Sequence, residues 1–243
     1  MRAVQEHPLF VRLTHWANAV ALIVLILSGL RIFKAFPAFG PKVPEKDLFD
    51  TSYLITLGGW LGGALRWHFT FMWLFMAAGI WYVVAQMVSG RYRAVLFTTR
   101  DLAGVWPMAR HYFLFGPRPP VTEQYNPLQK LAYTTTILMG ALSMFTGLVL
   151  YKPAQLSGLA WMFGGFHLTR VWHFIAMCGF VAFIPGHLLM VALHGWNNFM
   201  SMLTGWKADP EYLVGEASPP APDSRSSRYG DGPPESDPRP ARG

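Results

Sequence analysis

The chain is short of cysteine, of acid and of charge altogether. Cys178 is the only cysteine in 243 residues. That excludes an internal disulfide, a cluster held by four cysteines and a C-x-x-C-H attachment motif; Cys178 itself reads as a small packing residue. Charged residues make up 14% of the sequence, against about a quarter in soluble domains. No Asp or Glu occurs from Thr51 to Arg100, and none from Gln124 to Ala208. Long stretches without carboxylates leave no intramembrane acid for a proton relay.

What is present is apolar sequence, 52% of the chain. Four windows also lack Lys and Arg: Leu13–Leu30, Trp67–Gly90, Leu131–Tyr151 and Val171–Trp206. Each holds an apolar run near the roughly 20 residues that cross a hydrocarbon layer of about 30 Å as a helix. The expected fold is therefore all-α, an integral membrane four-helix bundle. Its spans are expected at about 13–33, 67–89, 128–151 and 168–194 of one membrane domain, residues 1–206. The first run is read as a retained span, because His15-Trp16-Ala17-Asn18 is a poor opening for a signal peptide. The tail 207–243 is rich in Pro, Ser, Asp and Arg and is expected to be disordered.

The cations set the expected orientation. The 89–130 connection carries Arg91, Arg93, Arg100, Arg110, Arg118 and Lys130, whereas 151–170 carries only Lys152 and Arg170. By the positive-inside rule, both termini and the 89–130 loop face the cytoplasm. Loop 31–66, with Lys42 and Lys46 among its cations, then lies outside. The net charge of +7 is accounted for by this topology; no basic face interleaved with aromatics points to nucleic acid. Asn126 and Pro127 mark the start of the third span as N-cap and first helical residue. Tyr53–Leu65, apolar with four glycines, is expected along the outer interface, and Asp101–Phe115 along the inner one. No internal repeat is evident.

Four histidines stand where they are expensive and informative. A single histidine at a span end is more often an interfacial residue, so the joint geometry carries the weight. His173 and His187 are fourteen residues apart, which returns them to within about 40° of one helix face and separates them by about 21 Å in depth. The alternating direction of the spans puts His15 at the depth of His187, on the inner side. It puts His68 at the depth of His173, on the outer side. Two bis-imidazole haems stacked across a membrane require this arrangement, one axial nitrogen coming from each side of each iron. The expected metal ligands are thus His15 with His187 and His68 with His173.

Small and cationic residues fit the same scheme. Gly29 is fourteen residues after His15, and Gly79 eleven after His68. Each lies within about 40° of its histidine's face but at the other depth, offering clearance for a porphyrin. Ordinary small-residue helix packing is the competing explanation. Arg12, Arg66 and Arg170 precede His15, His68 and His173 by two or three residues, placing guanidinium groups near expected haem propionates; headgroup contact is the competing role. His7, His111 and His167 read as loop or interface residues. His194 with Trp196, Asn197 and Asn198 borders the inner site, where a quinone would need donors; a polar helix end is the plainer reading.

The opening His7-Pro-Leu-Phe-Val-Arg-Leu-Thr-His15-Trp16 resembles that of the bacterial cytochrome b561 / Ni-hydrogenase b-type cytochrome family, as do the placement of histidines and the fourteen-residue pair. Asn126-Pro-Leu-Gln-Lys-Leu-Ala-Tyr133 and Thr146-Gly-Leu148 are similar to its thiosulfate reductase-like cytochrome b branch, related to formate dehydrogenase gamma-like anchors. The resemblance covers residues 7–206. It implies two haem b groups in the bacterial inner membrane. It also implies electron transfer between a periplasmic oxidoreductase, with iron–sulfur or molybdopterin centres, and the quinone pool. The outer haem would face that partner and the inner haem quinone. A stand-alone di-haem cytochrome acting on a small partner such as superoxide would show the same histidines. Against it, the outer segment around Trp161, Met162, Phe163 and Phe166 offers apolar surface to a partner subunit. A transporter or non-haem metal protein fits less well, since a zinc site needs three or four ligands at one depth and the pattern is two plus two.

Overall fold

A computed structural model of the protein describes residues 3–36, 55–114, 116–117, 119 and 125–208. The expected tail beyond residue 208, Lys42, Lys46, Arg118, Tyr53 and Phe115 lie outside the described residues, as do the side chains of Phe113 and His194. Four helices are long and apolar enough to cross a membrane: α1 (Leu9–Ala35), α2 (Leu61–Val88), α5 (Pro127–Tyr151) and the part Phe166–Leu193 of α7 (Phe166–Thr204). Between α2 and α5 lie the short α3 (Tyr92–Val95), a single 3-10 turn (Thr99–Asp101) and α4 (Leu102–Leu114). A short α6 (Ser157–Met162) joins α5 to α7. Strands β1 (Ala3–Gln5) and β2 (Trp206–Ala208) form a two-stranded pair.

Helices α1 and α2 begin four and six residues earlier than the charge pattern suggests. Arg12 and Arg66 limit the hydrocarbon but not the helix, because a helix continues into the interface where its cations meet water and headgroups. His15 and His68 consequently sit in the second turn of their helices rather than the first. The last residues of Tyr53–Leu65 form the first turn of α2. The start of α5 is as read. The Gln129 N–H donates to Asn126 Oδ1 at 2.9 Å, and the Asn126 N–H donates to Gln129 Oε1 at 3.0 Å, a reciprocal capping box.

Burial is distributed as a bilayer requires. Leu13, Val20, Ile23, Ile80, Val84, Leu138 and Leu188 are exposed on the bundle's outer surface. The residues most deeply buried are mostly small or hydroxylated: Thr14, Ala21, Ser28, Ala64, Thr146 and Val149. Lipid provides no hydrophobic drive between helices, so close approach rests on small side chains and hydrogen bonds. Helix α1 packs along α2, and α5 along α7, while contact between the two layers is sparse. Rings bridge the layers. Phe33 of α1 stacks on Phe174 of α7 at 4.5 Å, and Phe75 of α2 meets Phe180 of α7 edge-on at 6.2 Å.

Two connections anchor the ends of the bundle. Asp101, the last residue of the 3-10 turn before α4, forms a capping box with Thr98 and pairs with Lys130 of α5 at 3.0 Å, both side chains being buried. This ties the start of α4 to the third span. Helix α7 carries Pro185 and is broken at Gly195, whose φ of 79° and ψ of 175° are not helical. The break falls just past the end of the apolar window at Leu193. Beyond it the chain returns to the start of α1, where the Glu6 N–H donates to the Gly205 carbonyl at 2.9 Å and Trp16 Nε1 donates to the Met202 carbonyl at 3.2 Å.

Candidate haem sites

The four histidines meet in the two expected pairs, each joining one layer to the other. The rings of His68 (α2) and His173 (α7) have centroids 6.3 Å apart and planes inclined by 69°. Those of His15 (α1) and His187 (α7) are 6.1 Å apart and inclined by 51°. A metal–imidazole bond is about 2 Å and the ring centre lies roughly an ångström beyond the nitrogen, so two imidazoles on opposite sides of one metal put their centroids about 6 Å apart. Both pairs meet that spacing. Among the described residues no group of three or more His, Cys, Asp or Glu converges.

The surroundings of the His68/His173 pair are matched on its two sides. Ser28 Oγ donates to the Val24 carbonyl at 2.6 Å and lies 3.0 Å from His68 Nδ1. Thr146 Oγ1 donates to the Leu142 carbonyl at 2.6 Å and lies 2.9 Å from His173 Nδ1. A hydroxyl has one proton, and here it is committed to its own helix. With the hydroxyl proton so placed, each oxygen is an acceptor for Nδ1–H, and the Leu25 and Ser143 backbones also bond the His68 and His173 rings. The Nδ1–H tautomer leaves Nε2 with a free lone pair, the state a metal ligand needs. Glycine follows each hydroxyl residue. A Cβ on Gly29 would stand 3.3 Å from His68 Cε1, and one on Gly147 3.2 Å from His173 Cε1.

The His15/His187 pair is supported by rings. Phe183 stacks on His187 at 5.5 Å, and Trp16 meets His15 edge-on at 5.1 Å. Four buried polar atoms among the described residues lack a hydrogen-bond partner: Arg12 Nε, His15 Nδ1, Asn18 Oδ1 and Gln86 Oε1. All four lie in the half of the bundle that holds the start of α1 and the end of α2. Of these, Arg12 Nε is a donor suited to a carboxylate, while the amide oxygens of Asn18 and Gln86 accept from a hydroxyl or N–H.

The remaining expected residues are placed as follows. Gly79 has nothing within 4 Å of an added Cβ. At Gly29 the space is filled by the His68 ring itself. Arg12 donates to the Leu203 carbonyl and Arg170 to the Phe36 carbonyl, while Arg66 is exposed. Ser28, Thr146 and Gly147 were not singled out by role in the sequence. Their one signal is a hydroxyl residue before Gly-Leu, in Ser28-Gly29-Leu30 and Thr146-Gly147-Leu148, a pattern that Ser157-Gly158-Leu159 shares.

Residues 6–205 match the family described as prokaryotic cytochrome b561. The chain belongs to that family. It is 39% identical over 188 residues to a putative protein-methionine-sulfoxide reductase subunit, YedZ1, of Azospira oryzae, covering 77% of this chain and 90% of that protein. It is 25% identical over 196 residues to a probable Ni/Fe-hydrogenase 1 B-type cytochrome subunit of Escherichia coli, covering 74% and 78%. A probable Ni/Fe-hydrogenase B-type cytochrome subunit of Cupriavidus necator is 27% identical over 201 residues, 76% of each chain. No solved structure matches it. This cytochrome b561 family member is thus a multi-pass protein of the bacterial inner membrane, a b-type cytochrome of electron transfer.

Proposed function

We propose that this cytochrome is a di-haem subunit that carries electrons between membrane quinone and an oxidoreductase subunit on the periplasmic side. The observation that supports it most is the pair of cross-layer histidine couples, each at the spacing of two axial imidazoles. Their separation of about 21 Å along α7 spans two thirds of the hydrocarbon thickness. His15 with His187 would hold one haem b and His68 with His173 the other. Haem b, when bound, supplies a one-electron ferric/ferrous couple at each site.

The protein's own residues do the rest. Ser28 and Thr146 hold Nδ1–H of two ligands, so that Nε2 of each is presented as a lone pair. Phe183 and Trp16 confine the rings of His187 and His15. Gly79 leaves a flat face beside the inner site. Arg12, with its buried unpartnered Nε, offers charge to a propionate there, and Arg66 and Arg170 do so at the outer site. The excess of Lys and Arg in the 89–130 connection supports the orientation with His15 and His187 near the cytoplasm.

The relatives' names favour a partner subunit over solitary action, since one is a subunit of a putative protein-methionine-sulfoxide reductase and others are subunits of hydrogenases. Quinone exchange is assigned to the inner half, where Asn18 Oδ1 and Gln86 Oε1 are buried without partners and would accept from the hydroxyls of the quinol form. The test is reduction of the purified holoprotein by a soluble quinol analogue, followed by haem absorbance. His187→Ala is expected to keep one haem and to lose rapid reduction. Unchanged reduction in that variant, or failure to co-purify an oxidoreductase subunit from native membranes, contradicts the corresponding half of the proposal.

A further inference from the structure

Ser28-Gly29 on α1 and Thr146-Gly147 on α5 form one device used twice. The numbers repeat almost without change. Hydroxyl to own-helix carbonyl is 2.6 Å in both, hydroxyl to histidine Nδ1 is 3.0 and 2.9 Å, and glycine Cβ position to Cε1 is 3.3 and 3.2 Å. The two helices belong to different layers, and each device grips a histidine on its layer partner, α2 or α7. The two gripped histidines face each other as one pair.

Serine or threonine bonding back to its own helix is common in apolar helices, and so is glycine at a helix contact. Neither habit explains why both hydroxyls meet an imidazole nitrogen and both glycines the adjacent ring carbon. A hydroxyl whose proton is already given away has only acceptor capacity left, so it favours the Nδ1–H tautomer, in concert with the Leu25 and Ser143 backbones that bond the same rings. The glycine, having no Cβ, lets the ring come close enough for that bond. At the other pair the contrast is clear, for His15 Nδ1 is buried without a partner.

We propose that Ser28 and Thr146 are positioning residues that fix the tautomer and ring plane of both ligands at the His68/His173 site, and so set its redox behaviour apart from that of the His15/His187 site. The inference rests on the di-haem reading above. A partner on Nδ1–H raises the basicity of the ligating nitrogen and favours the ferric state. Removing it therefore moves the potential of that one haem upward.

The experiment uses purified holoprotein carrying Ser28→Ala, Thr146→Ala, both together, and the conservative Ser28→Thr and Thr146→Ser. Haem per chain, the two midpoint potentials and the low-spin EPR signals are measured for each. Both alanine variants are expected to keep two haems and to shift the potential upward and the EPR signal of the same haem. The double variant shifts further, and the conservative variants restore the wild-type values. Loss of that one haem, rescued by the conservative variants, supports the proposal equally. Two retained haems with no signal moved, or alanine variants that shift different haems, overturn it. A wild-type protein with fewer than two haems instead overturns the reading on which it rests.

Discussion

Gly29 lies against the imidazole of His68, so close that a Cβ built on it would stand 3.3 Å from Cε1. The glycine is the space the ligand ring occupies. A larger side chain at that point forces either the ring or helix α1 to move. Gly29→Leu is therefore expected to reduce bound haem from two per chain to one, leaving the His15/His187 site loaded. Gly147→Leu, acting on His173, is expected to do the same. Haem extraction from the purified variants reads this directly, and full occupancy in either would show that the ring tolerates displacement.

Asp101 and Lys130 tie the start of α4 to the third span through a buried ion pair of 3.0 Å. Removing one partner leaves the other charge buried and alone, at a cost of about 3 kcal/mol. Lys130→Met is expected to destabilise the protein by that order, seen as a lower thermal midpoint in detergent. Burial alone would raise the Asp101 carboxyl. Hydrogen bonds from the Thr98 backbone and hydroxyl and from Lys130 outweigh it and hold the carboxyl below its ordinary value. A depressed folded-state value means that the stabilisation is present above the unfolded-state value, near 4. It is lost as pH falls through the lower folded-state value. Between pH 5 and 8 the pair is expected to make stability independent of pH, with the loss confined to strongly acidic solution.

Asn126 caps α5 through two reciprocal bonds with Gln129. Asn126→Ala is expected to cost about 1 kcal/mol. Gln129→Ala, which removes only the returning bond, should cost less. Thermal unfolding of the two variants side by side checks the order.

Gly195 breaks α7 with φ 79° and ψ 175°, a backbone region open to little but glycine. Gly195→Ala is expected to cost about 1–3 kcal/mol. Because the break lets the chain fold back to Arg12 and Trp16 of α1, the same variant should loosen the His15/His187 end first. Faster loss of one haem on mild heating, with the other retained, is the expected signature.

Much of this arrangement was legible in the chain itself, for identifiable reasons. The four spans show because charge is missing over lengths that only a bilayer explains. The histidine pairs show because a fourteen-residue interval nearly closes on the helical period, which fixes face and depth together. Asn126-Pro127 shows because capping is local chemistry. The helix starts at Leu9 and Leu61 do not show, since Arg12 and Arg66 mark where hydrocarbon ends and not where hydrogen bonding does. Ser28 and Thr146 were hidden for a different reason. Their partner nitrogens come from another helix, and a hydroxyl in an apolar helix looks the same whether or not a ring lies across from it. The break at Gly195 was equally silent, because a lone glycine near a helix end fits a cap, a contact or a hinge.

The central claim is that His15 with His187 and His68 with His173 each hold one haem. It is tested most directly by counting haem b per chain in purified wild-type protein and in the four single His→Ala variants. The account predicts two in the wild type and one in each variant. It also predicts that His15→Ala and His187→Ala keep the same haem spectrum as each other, while His68→Ala and His173→Ala keep the other. One haem in the wild type, or spectra that pair the histidines differently, would contradict it.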